Sequence, residues 1–577
     1  MALLSLLALL EGCSTNTSDN VPASTDYSQV AEQMRAYINE QMPVNMVTGA
    51  AIALVDDGRL VWSEGFGYAD REAGVPAGAD TIFEIGSVSK TLTTMALMRL
   101  VDEGKLDIDQ PVETYIPEFT INQRFTSLPI TVRSMLTHHS GLPTDIFIGG
   151  FTVDSPDLTW VDWLIAYLKD EYTANPVGYS GAYSNTAFAM LHKVIENASG
   201  QPFYTFTDQM FDFLGMGDTT YGSRTLPAAR ISKAYYNGEL QPFVYTNLST
   251  SGSIRSTVVD MSKYMANVLL AGGGAWLKSA TMNEVFSDQS TGSLADSTTK
   301  QGICFFLNEG LLDYAGRIAW HNGATVAMTS QMTVLLDHGL GAIMITNSAT
   351  GGLLAHDAVV KTLQLALESK KGVKPSAPAD LPDSPSATPP AGLIASITGY
   401  YVGEGSPYLI TDNGSGGINV EVEGRTTAMG YMQNGRWKAS GSKNQFEFRK
   451  VGQDRILFYW TSVGNNFRMG KLFRPAAISA AWQARAGDWE IVNLPANDAA
   501  SYVNPDIALV KKTITLRIEN GVLLIDGPLR TNMVLDPHSD TLAFTAGIGR
   551  NRGESLRMET VDGEETLLIS GARYVKS

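Results

Sequence analysis

The sequence predicts a mixed α/β domain, with an antiparallel sheet flanked by helices plus a helical subdomain, followed by two small all-β domains. Three observations carry this. A strand pair, a helical block, and a closing set of strands and a helix occupy residues 27–370. A Pro-rich stretch, 371–393, then interrupts the chain. Beyond it, over 394–478 and 479–577, short strand-like runs parted by Gly, Asn and Asp turns replace the helical periodicity. The 577 residues exceed one domain, and 44% hydrophobic with 18% charged residues is a globular composition. Lys and Arg number 42 against 59 Asp and Glu, a net charge of −17, so no nucleic-acid partner is expected.

The elements follow in order. Met1–Leu10 is an apolar run, shorter than the ~20 residues a membrane helix needs but long enough for a signal-peptide core. Behind it, Gly12-Cys13 resembles a bacterial lipoprotein cleavage site, with Glu11 where a small or apolar residue is usual. Residues 1–26 are therefore read as leader and tether. The protein is expected to be exported, periplasmic or membrane-anchored, with attachment only through a lipidated Cys13. Tyr27, Val30, Met34 and Ile38 follow a helical period. Gly49–Val55 and Leu60–Gly65 flank an Asp57-Gly58 turn and read as a hairpin. Helical segments dominate 87–215, strands return at 318–335 and 340–347, and a helix over 355–368 closes the unit. The stretch 371–391 has six prolines and no aromatic residue, and is read as a semi-rigid linker. The two β sets open alike, with Gly399-Tyr400 and Gly487-Asp488-Trp489, and two barrels or sandwiches are expected.

Chemistry concentrates at Ser87-Val88-Ser89-Lys90, which opens a helix. Ser and Lys three residues apart share one helix face. A Lys amine whose pKa is lowered by burial or a cationic neighbour can take the Ser proton. The tetrapeptide alone also fits a capped helix with a solvated Lys. With only Cys13 and Cys304 and no metal-ligand spacing among the seven His, no metal or other cofactor is expected.

The remaining motifs add specificity. Leu106 to Val112 leads to Tyr115-Ile116-Pro117, and Thr131–Leu142 reads TVRSMLTHHSGL. Tyr183-Ser184-Asn185, Gly252–Thr257 and Trp320-His321-Asn322-Gly323 follow in order. Over about residues 30–370 this resembles the serine β-lactamase-like family: class C β-lactamases, D,D-carboxypeptidases, D-aminopeptidases and related esterases. The resemblance implies Ser87 as nucleophile, Lys90 as its activator and Tyr183 as proton shuttle. It implies Asn185 as an amide that binds the substrate carbonyl and steadies Lys90, and the backbone N–H groups of Ser87 and Ala324 as oxyanion hole. His321, Asn322 and Gly323 stand where many β-lactamases place Lys-Thr-Gly. A mostly neutral His removes a fixed charge, and Gly323 suggests close approach of substrate to the strand. The expected activity is that of a serine hydrolase acting on D-amino-acid-containing peptides, because D-aminopeptidases of this family carry similar C-terminal barrels. Carboxylesterase, β-lactamase and a penicillin-binding sensor without turnover are the successive alternatives. The partner is a small-molecule or peptide substrate. His138-His139 are read as a structural turn and Cys304 as a buried small hydrophobe. Trp160, Trp163 and Tyr167 are read as core or as a wall of the cleft.

Overall fold

The computed structural model describes residues 25–125, 128–290, 292–376, 380–527 and 531–577. Helix α1 (Ser28–Val44) buries Val30, Met34 and Ile38, the residues that share its apolar face. The hairpin β1 (Gly49–Asp56) and β2 (Arg59–Asp70) turns on Asp57 and Gly58, both at positive φ. Two positive-φ residues match the twist of a two-residue hairpin loop. With β3 (Val75–Pro76), β4 (Ile318–Ala324), β5 (Thr329–Leu335) and β6 (Leu340–Thr346), they form one sheet in the order β4-β5-β6-β1-β2-β3. The pairing is antiparallel throughout.

The middle of this sheet is covered on both faces. Ala50, Ile52, Leu54 and Met344 pack against α1 and the closing helix α5 (Gly352–Lys371). The alternate residues Ala51, Ala53, Ile343 and Ile345 pack against the helical layer. That double cover explains why β1 and β6 are near-continuous apolar runs rather than alternating ones. The helical layer contains α2 (Ser89–Asp102), α3 (Trp160–Leu168) and α4 (Asn185–Ser199). Helix α2 is buried almost all round, as a helix in the middle of a domain must be.

Two closed antiparallel barrels of eight strands each follow, over Gly399–Phe473 and Gly487–Lys576. In each, the first strand also pairs with the last, which removes the exposed edges. The opening signature has a shared geometry. Gly399 and Gly487 sit at φ 131° and 127°, and two residues on, Tyr401 and Trp489 are fully enclosed in the barrel. A short helix precedes each opening, Leu393–Ile397 and Ala480–Ala484. The Pro-rich segment is strapped along the first barrel: Leu381 N–H donates to the Ser462 carbonyl and Ala387 N–H to the Tyr431 carbonyl.

Candidate active site

A 3-10 turn, Gly86–Val88, leads into α2 and carries Ser87. Gly86 is needed at that bend. Its φ is 52°, and a Cβ there would lie 2.6 Å from the Ala324 backbone nitrogen. The turn can therefore press directly against the end of β4. That brings the backbone of Ala324 beside Ser87, and both line one cleft.

Lys90 is the second residue of α2, three positions after Ser87, and is fully buried. Its Nζ is 3.1 Å from Ser87 Oγ, 2.7 Å from Asn185 Oδ1 and 2.6 Å from the Ser251 carbonyl. Burial pulls the ammonium down to about 7; nearby Arg550 pushes the same way, while Asp145 opposes. The neutral amine fits its surroundings well. The amide oxygen and the carbonyl can only accept, so they take its two N–H groups. When the amine is neutral, its lone pair is free to take the Ser87 proton across the 3.1 Å contact.

Tyr183 stands on the other side of Ser87 and hydrogen-bonds to it. Burial raises the phenol above its ordinary value, against the pull of that bond, so it is protonated at neutral pH. Its ring rests on the His138 ring at 4.4 Å, with Lys90 Nζ 5.0 Å and the Arg550 guanidinium carbon 5.3 Å from its centroid. The Ser184 N–H donates to His138 Nδ1, which places that ring's proton on Nε2. Burial holds His138 neutral. His138-His139 is thus a buried turn beneath Tyr183, with His139 paired to Asp296.

Asn185 opens α4, and Ser184 is the N-cap, accepting from the Ala187 N–H. Asn185 spends its oxygen on Lys90 and an N–H on Asp145 Oδ1 at 2.7 Å. This ties it to the buried framework more than its expected contact with a substrate carbonyl implied.

The third motif differs from expectation at two positions, because side chains alternate along β4. Asn322 and Ala324 line the cleft. His321 is fully buried, and its ring packs 6.1 Å from that of Tyr183 and 5.7 Å from that of Phe306. Burial pushes it down to about 3, so it is neutral and is a backing residue for Tyr183 instead of a substrate contact. At Gly323 a Cβ would lie 2.1 Å from the Ile85 carbonyl oxygen. This glycine lets β4 approach the nucleophile turn, not the substrate.

Trp160, Trp163 and Tyr167 do not wall the cleft. Trp160 is buried and donates to the Ile148 carbonyl, while the stacked Trp163–Tyr167 pair faces the second barrel, where the Gly571 N–H donates to the Tyr167 hydroxyl. Cys304 is buried, and its thiol is pushed up to about 12 by burial, hence a neutral packing group. Cys13 lies outside the described residues.

The cleft has a volume of about 430 Å³. Phe147, Phe151, Leu248 and Phe306 supply an apolar wall. Leu509 and Arg550 reach in from the second barrel, and neither was singled out in the sequence.

A family model described as Beta-lactamase matches residues 34–366. The chain belongs to the beta-lactamase family. Among curated relatives, it is 31% identical over 236 residues to Esterase EstB of Burkholderia gladioli, covering 39% of this chain and 59% of that one. It is 29% identical over 191 residues to Protein flp of Staphylococcus aureus (strain MW2), covering 33% and 38%. It is 38% identical over 122 residues to the mitochondrial serine beta-lactamase-like protein LACTB of Mus musculus, covering 21% and 22%. The matches thus span less than two thirds of each relative's length. Among solved structures, SurE with D-Leu superposes with TM-score 0.55 at 21% identity, over 76% of this chain and all of that one. The octameric penicillin-binding protein homologue from Pyrococcus abyssi gives 0.52 at 20%, over 77% of this chain and 98% of that one. These two likenesses concern the fold.

Proposed function

We propose that the protein is a serine hydrolase that works through an acyl-enzyme at Ser87, on peptides or amides containing a D-amino acid. One observation carries the mechanism: a buried Lys90 whose Nζ lies 3.1 Å from the Ser87 hydroxyl oxygen while the Asn185 amide oxygen and the Ser251 carbonyl take two of its N–H groups. As Ser87 Oγ bonds to the substrate carbonyl carbon, its proton passes to Lys90. The carbonyl π pair moves onto oxygen, toward the N–H groups of Ser87 and Ala324. When that pair returns, the bond to the leaving group breaks, and Tyr183 passes it a proton and is reprotonated through Lys90. Water then attacks the ester by the same route in reverse roles and frees Ser87.

The D-residue reading is supported by the apolar wall of the cleft, by the two appended barrels, and by a structural neighbour solved with D-Leu. An esterase is the second reading, favoured by the likeness to Esterase EstB. The test is steady-state hydrolysis by wild type and Ser87→Ala. The panel comprises p-nitrophenyl butyrate, D- and L-alanyl p-nitroanilides, a D-Ala-D-Ala peptide and a chromogenic cephalosporin. Ser87→Ala is expected to lose at least about 10³-fold in kcat, with the D-anilide the best substrate. Full activity in Ser87→Ala would overturn the nucleophile, and preference for the butyrate would replace peptidase by esterase.

A further inference from the structure

Arg550 sits in the loop Gly549–Gly553 of the second barrel, far from Ser87 in sequence, yet lines the same cleft. The loop is shaped for this. Gly549, Asn551 and Gly553 all have positive φ, and a Cβ on Gly553 would lie 2.0 Å from the Ala174 carbonyl oxygen. Asn551 N–H donates to Thr144 Oγ1, and Glu554 accepts from the Thr144 N–H and hydroxyl. The contact is therefore a fitted dock rather than a grazing surface.

At its tip, Arg550 Nε and Nη2 donate to Asp145 at 2.5 and 3.0 Å. Asp145 is completely buried and accepts from Asn185 Nδ2, whose own oxygen accepts from Lys90. A chain of four side chains thus runs from the barrel to the base. We propose that Arg550 is a positioning residue of the hydrolytic step, pinning Asp145 so that Asn185 is held in register on Lys90. The second barrel is then part of the catalytic apparatus and not an appendage. The inference rests on the reading of Lys90 as the base.

Electrostatics work in the same direction. Asp145 favours the charged form of Lys90, and Arg550 opposes it. The other polar groups around the amine are Tyr183, Cys304, His138 and His321, all neutral at pH 7. Asp145 and Arg550 are therefore the fixed charges nearest the amine, with Glu404 of the first barrel facing Arg550 and accepting from its backbone N–H. Without Arg550, an uncompensated Asp145 would hold the proton on Lys90 to higher pH.

The test uses the full chain, on the best substrate of the panel, with Arg550→Met, Arg550→Lys and the double variant Arg550→Met/Asp145→Asn. Each is assayed for kcat, KM, pH profile and melting temperature. Arg550→Met is expected to lower kcat about 10–100-fold with KM within about threefold, and to move the acid limb of the rate profile up by about one pH unit. Arg550→Lys should recover part of kcat, and the double variant should return the acid limb toward the wild-type position. Added ethylguanidine should raise the rate of Arg550→Ala and not that of wild type. A lower melting temperature with unchanged kcat and unchanged acid limb would overturn the proposal, leaving a purely structural contact. A raised KM with unchanged kcat would also overturn it, making Arg550 a substrate contact. If Arg550→Met does not fold, the Lys variant and the ethylguanidine experiment decide. Failure of the Lys90 reading is distinguishable, since it would show as a Lys90→Met enzyme with wild-type kcat whatever Arg550 does.

Discussion

The two barrels share an architecture and meet the hydrolase domain in different ways. The first braces the loops around 179–181 and 294–298 with polar side chains, among them Asp454, which accepts from the Tyr179 hydroxyl, and Arg449, which donates to the Leu294 carbonyl. Arg468 donates to the Ser180 hydroxyl and the Gly181 and Ala295 carbonyls, the Thr298 N–H donates to the Asn466 carbonyl, and the Asn466 N–H donates to the Thr298 hydroxyl. The second inserts side chains into the site, with Leu509 and Arg550 in the cleft. Its segment between Ile491 and Thr513 also joins the main core through Ala499, Val503 and Val510. A closed barrel offers no free edge for docking, so its loops decide what it does. Two similar barrels can thus hold one loop steady and complete a cleft.

The sharpest way to break this contrast is Arg468→Met in the first barrel. Arg468 lies 3.6 Å from the half-buried Asp296, so its loss leaves that carboxylate to His139 and the Gly181 N–H and takes a donor from two carbonyls. Breaking a fully buried pair costs ~3–5 kcal/mol, an upper bound here because Asp296 keeps two other partners. The expected result is a large fall in melting temperature with the acid limb of the rate profile unmoved. A shifted limb would mean that both barrels tune the base, and the contrast would go.

A second measurement concerns Glu554, at the dock of the second barrel. Burial pushes its carboxyl up to about 7, with the Thr144 bonds opposing. The folded protein therefore binds this proton more tightly than the unfolded chain does. The stability it contributes is fully present below about pH 4.5 and is lost as pH rises toward 7. Glu554→Gln is expected to flatten that slope and to be the more stable protein at pH 8, by ~3 kcal/mol at most at 1.4 kcal/mol per unit. Chemical denaturation of both proteins at pH 5 and pH 8 checks it. Equal slopes would show that the dock holds a charged carboxylate.

Legibility from sequence followed locality. The spacing of Ser87 and Lys90 puts them on one face at the start of α2, while their roles came from the resemblance of the ordered motifs. Tyr183, Asn185 and the 321–323 stretch were legible through the resemblance of the ordered motifs to the family. Asp145 and Arg550 were not, since their partnership crosses the chain and no local period links them. The one available signal was the basic Arg550-Asn551-Arg552 between two glycines, a loop built for tight backbone turns. The alternation of β4 was also missed, so His321 and Gly323 were placed toward the substrate when they face the domain interior. In the barrels, strands with an apolar inward face were legible. Arg425–Tyr431 has no fully buried residue and packs on the barrel core only through Met429 and Tyr431 at its end, so four exposed residues precede any inward pattern.

The smallest effect tests whether the barrels are alike at their openings. Gly399 and Gly487 share a backbone region that other residues enter only under strain, of order 1–3 kcal/mol. Their surroundings differ. A Cβ on Gly399 would lie 2.8 Å from Leu472 Cδ1, whereas on Gly487 the nearest atom is Lys576 Cε at 3.6 Å. Leu472 is packed into the first barrel, while the end of Lys576 is a flexible chain at the surface. Both Gly→Ala variants should lose stability in urea, and Gly399→Ala should lose about 1 kcal/mol more. Equal losses would mean that backbone strain alone sets the cost and that Leu472 gives way. No loss at either site would mean that the opening strands relax to ordinary φ, and the glycines would then owe their place to something other than the turn into the barrel.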